Sequence, residues 1–129
     1  MKIPKKINAN IQSIEAAENK LNIKYPSVIK NKILQKNGFD TEEFTFYCVF
    51  DEEDKYHTFD DVVRENTNDD SGWLHYLPNN YVAIAEDGGK GCLALNTNQD
   101  GKVYYYENST GEISLYATND IEIEKLLAS

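Results

Sequence analysis

The chain has 129 residues and a mass of 14.7 kDa, which is the size of one ordinary domain. Hydrophobic residues make up 40% of the sequence, enough for a packed core, so we expect a single ordered domain over residues 1–129. The formal net charge of −9 argues against nucleic acid or an anionic membrane as the direct partner. The longest apolar run covers only residues 81–85, and the N-terminal sequence lacks the apolar run of a secretory signal, so we expect a cytoplasmic protein.

The charges are distributed unevenly along the chain. Residues 1–39 carry eight lysines and two glutamates, a balance of +6, whereas residues 40–70 carry twelve acids and two bases, a balance of −10. Residues 71–129 carry eight acids and three lysines, a balance of −5. Because like charges repel, an acidic block of this density destabilises the fold unless solvent screens it or a cationic partner binds it.

Two helices are predicted at the start of the chain. The apolar residues of the first recur at spacings of three and four, at Ile11, Ile14, Ala17 and Leu21. Asn10 or Ser13 is available as its N-cap. Pro26 opens the second helix, because a first-turn residue needs no backbone N–H. The pair Asn37-Gly38 is predicted to end that helix with a left-handed residue.

The middle of the chain is predicted to form a strand and a short helix. Residues 44–50 are β-branched and aromatic, which favours a strand. Thr58 and Asp61 approximate a capping box for a helix whose apolar face begins with Phe59, Val62 and Val63.

Four short strands and a last helix are predicted in the second half. The strands cover residues 81–85, 91–95, 103–107 and 113–117. Links this short require antiparallel neighbours, because a parallel pair needs a crossover of about a dozen residues. Residues 119–127 have helical apolar spacing, with Asn119 or Asp120 as the cap. The predicted fold class is α+β, with a largely antiparallel central sheet, N-terminal helices and a C-terminal helix.

No catalytic or metal-binding motif is recognisable in the sequence. His57 and His75 lie 18 residues apart, and neither has a second ligand at metal-binding spacing. The acidic run at residues 51–54 lacks the alternating ligands and the central glycine of a calcium loop. The glycines at residues 88–91 lie between two predicted strands, which favours a hairpin turn over a phosphate-binding loop. We therefore expect no catalytic residue, no metal, no cofactor and no enzymatic activity.

The predicted strands contain cysteines and tyrosines whose positions bear on surface chemistry. Cys48 and Cys92 lie in apolar segments without a cationic neighbour, so we expect buried, reduced and poorly reactive thiols. Tyr104, Tyr105 and Tyr106 cannot all face inward, because side chains alternate along a strand. Exposed phenols are therefore expected on one sheet face, either those of Tyr104 and Tyr106 or that of Tyr105 alone.

A set of short motifs occurs in order along nearly the whole chain. They are Ile14, Glu18 and Leu21, then Pro26, Asn37-Gly38, Leu77-Pro78, residues 81–85, Asp87-Gly88-Gly89 and residues 100–105. This ordered set resembles the SUKH superfamily, which contains bacterial toxin-immunity proteins and the fungal Smi/Knr cell-wall regulators. Tyr25 replaces the leucine usual before Pro26, Lys90 interrupts the glycine turn, and residues 40–72 match no motif.

The resemblance implies an immunity protein that binds and neutralises a cognate toxin, in many systems a nuclease domain, without a catalytic set of its own. The acidic charge agrees with this, because a nuclease presents a cationic surface to its phosphate-rich substrate. The alternative is a regulatory or scaffold module of the Smi/Knr kind that binds cellular proteins and has no toxin partner.

We expect the partner-binding surface to lie within residues 42–76. It comprises the acids Glu42, Glu43, Asp51, Glu52, Glu53, Asp54, Asp69 and Asp70, with Trp73 as the hydrophobic anchor. A cationic partner would relieve the repulsion among these carboxylates when it docks. Two other interpretations stay open: the acids can form a solvated loop that keeps the protein soluble, and Trp73 can be a core residue.

Overall fold

The structure, a computed structural model, describes residues 9–49, 61–67 and 72–128. The elements in these residues are, in chain order, α1 (Ile11–Leu21), α2 (Ser27–Gln35), β1 (Thr45–Phe46), α3 (Val62–Thr67), β2 (Tyr81–Glu86), β3 (Gly91–Asn96), β4 (Val103–Glu107), β5 (Ile113–Ala117) and α4 (Asp120–Ala128). The strands form one sheet in the order β1-β2-β3-β4-β5, and every neighbouring pair is antiparallel. The predicted α+β class, the antiparallel sheet and the C-terminal helix are confirmed.

Helix α1 begins at a complete capping box. The Asn10 side chain accepts a hydrogen bond from the Ser13 N–H at 2.7 Å, and Ser13 Oγ accepts one from the Asn10 N–H at 3.0 Å. The two residues predicted as alternative caps therefore act together, with Asn10 as the N-cap. Asn22 ends the helix in the left-handed conformation, with a φ of 57°.

Helix α2 ends earlier than the sequence predicted. Its last residue is Gln35, and Lys36 follows as an extended C-cap, so Asn37-Gly38 does not cap the helix. Gly38 has a positive φ of 71°, while the Asn37 side chain is buried and reaches across to Val49. The Asn37 amide donates to the Val49 carbonyl at 3.0 Å and accepts from the Val49 N–H at 2.8 Å. Asn37 thus satisfies both backbone groups of a residue just beyond β1.

Strand β1 is shorter than predicted, whereas the four strands of the meander match the prediction closely. Only Thr45–Phe46 form the ladder, although residues 46–49 are buried. Residue 50 and Thr58, the predicted capping residue, lie outside the described residues. All six residues of β3 are buried, which is the pattern of a central strand covered on both faces.

A side chain from α3 completes the edge of β2 beyond β1. The register of β2 against β3 shifts between Ala83 and Ala85, and β1 pairs only with Ala85 and Glu86. The Asn66 amide donates to the Ala83 carbonyl at 2.8 Å and accepts from the Ala83 N–H at 2.7 Å. These two bonds satisfy the backbone groups of Ala83, which β1 is too short to reach.

The hydrophobic core joins the helices to the sheet. Helix α1 contacts α3, and α2 contacts α4. Helix α3 in turn packs on β2, and α4 packs on β5. Fully buried side chains from each region include Ile14, Ile29, Phe46, Leu93 and Ile123. In the described part of the chain, no helix combines the length and the apolar character needed to cross a membrane.

Candidate functional site

The predicted acidic surface lies partly within the described residues. Glu42 and Glu43 are exposed in a turn before β1, where the Thr41 N–H donates to the Phe44 carbonyl at 2.8 Å. The Phe44 N–H donates back to Thr41 Oγ1 at 3.1 Å, so the turn holds both carboxylates in solvent. The remaining predicted acids lie outside the described residues: Asp51, Glu52, Glu53, Asp54, Asp69 and Asp70.

Trp73, the predicted anchor, occupies a core position and is 7% exposed. Its Nε1 donates to the Tyr47 hydroxyl at 2.7 Å, and that hydroxyl donates to Glu86 Oε2 at 3.1 Å. Its ring packs edge-on against Tyr76 and Tyr106, with centroids 6.1 and 5.9 Å away. Tyr76 is 58% exposed and is the most exposed member of this group.

The three tyrosines of β4 divide between the faces of the sheet in a way that neither predicted alternative describes. Tyr106 is buried against Trp73, while Tyr104 and Tyr105 are each half-buried on opposite faces. The Tyr104 hydroxyl donates to Asp100 at 2.5 Å, and this bond is the main cause that raises the pKa of Tyr104 to about 12. The alternation was predictable, whereas the covering of Tyr106 by Trp73 depends on tertiary packing.

A hydrophobic surface extends over the face that carries Tyr104. Its members are Tyr81, Tyr104, Ile113 and Leu115. The rings of Tyr81 and Tyr104 meet edge-on at 5.3 Å, and Leu115 lies opposite Tyr104 in the ladder. Leu115 is 54% exposed, although leucine is usually covered. Exposed apolar groups that lie side by side are typical of protein interaction surfaces.

The opposite face carries a second group, which we call the tyrosine–carboxylate cluster: Phe44, Tyr105, Tyr116, Glu43 and Asp87. The Phe44 ring packs edge-on against Tyr105 and Tyr116, at 6.3 and 5.7 Å. The Tyr105 hydroxyl donates to Asp87 Oδ2 at 2.7 Å. Tyr116 is 40% exposed, and burial raises the pKa of its hydroxyl, with the nearby Glu43 carboxylate adding to the shift. The fold therefore brings one predicted acid, Glu43, beside tyrosines far from it in sequence.

Cys48 and Cys92 are buried thiols that are not joined in a disulfide, as the sequence predicted. Burial raises the pKa of the Cys92 thiol to about 12, and the carboxylates of Asp87 and Glu86 add to the shift. A thiol with so high a pKa is almost entirely protonated at neutral pH, so it is a poor nucleophile.

The described surface has shallow depressions and no cluster suited to a metal. Within residues 9–49, 61–67 and 72–128, no group of three or more His, Cys, Asp or Glu side chains could hold an ion. The depression beside Trp73 and Leu77 has a volume of about 170 Å³, and the one beside Tyr105 and Glu107 has about 370 Å³, near the lower end of the roughly 300–1,000 Å³ of drug-sized ligand sites.

The fold and these surfaces define a small α+β domain with exposed aromatic groups on both faces of its sheet. The sequence matches the SMI1 / KNR4 family (SUKH-1) over residues 8–122, and the chain belongs to this family. The match confirms the resemblance to the SUKH superfamily, whose SMI1 / KNR4 members are generally not enzymes. No curated protein and no solved structure matches the chain.

Proposed function

We propose that this protein is a cytoplasmic immunity protein that binds and neutralises a cognate toxin domain with a cationic, nuclease-like surface. Membership in the SUKH-1 family is compatible with that role. The observation that carries the proposal is the acidity of the sequence, with its net charge of −9 concentrated after residue 39. A protein that must occupy the substrate-binding surface of a nuclease needs negative charge there.

The described charges are divided unevenly between the elements of the fold. Helices α1 and α2 and the segments beside them carry Lys20, Lys24, Lys30, Lys32 and Lys36. The sheet and its turns carry two lysines, Lys90 and Lys102, and eight acids: Asp40, Glu42, Glu43, Glu86, Asp87, Asp100, Glu107 and Glu112. A cationic protein is therefore attracted to the sheet side and repelled by the first two helices, which orients it before contact.

Charge and aromatic contacts have different kinetic effects in this proposal. Electrostatic attraction raises association rates by roughly 10- to 1,000-fold, which favours rapid capture of a toxin. The lifetime of the complex depends on anchor side chains that become buried on binding, and exposed tyrosines are suited to that role. Tyr116, which is 40% exposed and packs against the Phe44 ring, is the candidate anchor on the sheet.

The direct test begins by asking whether the reading frame immediately upstream encodes a large toxin with a C-terminal nuclease domain, and then uses that domain. Co-expression of the protein is expected to restore growth of cells that produce the toxin, and the purified protein is expected to inhibit its nuclease activity. Failure to protect cells, together with no binding of the purified toxin domain, contradicts the proposal. Binding to several cellular proteins without protection would instead support the regulatory scaffold function.

A pair of charge variants separates local contacts from net charge. Glu42→Gln with Glu43→Gln removes two exposed acids from the predicted surface, and Glu15→Gln with Glu124→Gln removes two exposed acids from helices. Only the first pair is expected to slow toxin association several-fold and to flatten its salt dependence, because rim charges act mainly on the on-rate. Equal effects of both pairs would mean that the contact surface excludes this turn.

The acids outside the described residues belong to the same proposal. Replacing Glu52, Glu53 and Asp54 by their amides is expected to slow association while the melting temperature stays the same or rises slightly, since repulsion is removed. Association measured over a range of salt concentrations, beside a melting curve, provides both readouts. Unchanged association would identify this segment as a solvated loop.

A further inference from the structure

The tyrosine–carboxylate cluster holds exposed aromatic rings beside a carboxylate of fixed orientation. Both oxygens of Asp87 are bonded: Oδ2 accepts from the Tyr105 hydroxyl and Oδ1 from the Gly91 N–H, each at 2.7 Å. The Tyr105 and Tyr116 rings lie 6.1 Å apart and are tilted by 40°, and the buried Phe44 ring supports both. These groups are therefore positioned before any partner binds.

Negative charge surrounds the two tyrosines. Glu43 lies beside Tyr116, and Glu107 adds to the negative field at Tyr105. A depression of about 370 Å³ adjoins Tyr105 and is lined by Glu107 and by the cationic Lys90. Around the two tyrosines the carboxylates of Glu43, Asp87 and Glu107 thus outnumber the ammonium group of Lys90, so the local charge favours a cation.

Aromatic faces and carboxylates attract the same kind of ligand group. The face of a tyrosine ring carries negative charge density and attracts a cation placed over it. A guanidinium group suits this site better than an ammonium group, because it is planar, stacks on rings and donates several hydrogen bonds to carboxylates. An Asp87 carboxylate that already accepts two bonds retains lone pairs for a further donor.

We propose that the tyrosine–carboxylate cluster binds an arginine side chain of a protein partner. The guanidinium lies over the exposed Tyr116 ring and donates to the Glu43 and Asp87 carboxylates. The inference rests on the proposed function. It identifies the cluster as the place on the sheet where an arginine of the toxin's cationic surface binds.

A peptide titration tests the cluster without the toxin. The probe is a capped hexapeptide of alternating glycine and arginine, titrated into the isotope-labelled full chain and followed by NMR. We expect the ring resonances of Tyr105 and Tyr116 to shift. Two comparison peptides replace each arginine by lysine or by glutamine; the lysine peptide is expected to cause smaller shifts and the glutamine peptide none. Tyr116→Ala is expected to weaken arginine-peptide binding about two- to fivefold, the range for a solvent-exposed cation–π contact.

The matched control is Tyr76→Ala, which removes an exposed tyrosine that packs against Trp73 instead. It is expected to leave the peptide affinity unchanged. Circular dichroism of each variant checks that the fold is retained. Peptide shifts that spread over the whole surface, or a Tyr76 variant that loses as much affinity as the Tyr116 variant, would overturn the inference.

The toxin arm separates this inference from the proposed function. Tyr116→Ala and Glu43→Gln are each expected to weaken toxin binding, the first mainly through a faster off-rate. Tight toxin binding that neither variant weakens overturns the arginine contact and leaves the proposed function intact. Arginine-peptide binding at the cluster by a protein that neutralises no toxin supports the contact and contradicts the proposed function.

Discussion

Replacing Trp73 by alanine tests whether this side chain supports the fold. The substitution removes a ring that is 7% exposed, its packing against Tyr76 and Tyr106, and the bond from Nε1 to the Tyr47 hydroxyl. Truncation of a buried tryptophan costs about 3–5 kcal/mol, so we expect the free energy of unfolding to fall by about 4 kcal/mol. With an unfolding entropy of roughly 2.1 cal/mol/K per residue, the melting temperature is expected to fall by roughly 15 °C.

The assay is urea and thermal unfolding followed by circular dichroism. Trp73 is the single tryptophan of the chain, so the wild-type protein also reports through fluorescence, with a blue-shifted native emission that moves to the red on unfolding. Trp73→Phe retains much of the ring and loses the bond to Tyr47, so we expect a smaller loss of about 1–2 kcal/mol. Tyr76→Ala, at a 58% exposed position, is the control and is expected to change stability by less than about 1 kcal/mol.

A Trp73→Ala variant whose unfolding free energy stays within about 1 kcal/mol of wild type would refute the core position. If such a variant also dissociated rapidly from the toxin, Trp73 would be an anchor at the surface. A destabilised variant whose folded fraction binds normally would agree with a purely structural role.

Three further predictions follow from buried polar and titratable groups. Cys48 and Cys92 are expected to react with a thiol reagent at pH 8 only after denaturant is added, because both are buried and the pKa of Cys92 is about 12; rapid labelling of the native protein would contradict this. Asn66→Ala is expected to cost about 2–3 kcal/mol in urea unfolding, since it removes both bonds to the Ala83 backbone, and Asn66→Asp is expected not to restore stability, because a carboxylate cannot donate to the carbonyl. Burial raises the pKa of Tyr47 above its unfolded value near 10, so above pH 10 the unfolded chain loses a proton that the native chain keeps, and stability falls as pH rises. The urea midpoint is expected to be lower at pH 11 than at pH 9, with a shallower decline for Tyr47→Phe; parallel declines in the two proteins would contradict this.

Local patterns were sufficient to predict most of the secondary structure. The four meander strands were predicted within a residue of their observed ends, because short turns rich in glycine, asparagine and aspartate separate apolar runs. The first strand was overestimated, since residues 44–50 have strand composition but only Thr45–Phe46 form ladder pairs with β2. Composition reports burial, whereas pairing depends on which other segment lies alongside.

Asn37 and Asn66 show why the sequence did not predict the edges of the sheet. Asn37 was interpreted as part of a helix end, an ordinary local role for Asn-Gly, whereas its amide bonds the backbone of Val49, twelve residues away. Asn66 bonds the backbone of Ala83 across seventeen residues. Nothing in a local window distinguishes an asparagine in a turn from one that completes a strand edge.

The candidate sites divide in the same way between sequence and tertiary structure. The sequence by itself determined the acidic charge, its segregation from the lysines of the first 39 residues, and the alternation of tyrosines along β4, because these depend on composition and on the period of a strand. Tertiary structure alone decided that Trp73 is buried and that Glu43 lies beside Tyr116, since 73 residues separate that pair along the chain. Contacts between segments so far apart arise from how the helices and the first strand pack on the meander, and a local pattern contains no information about that packing.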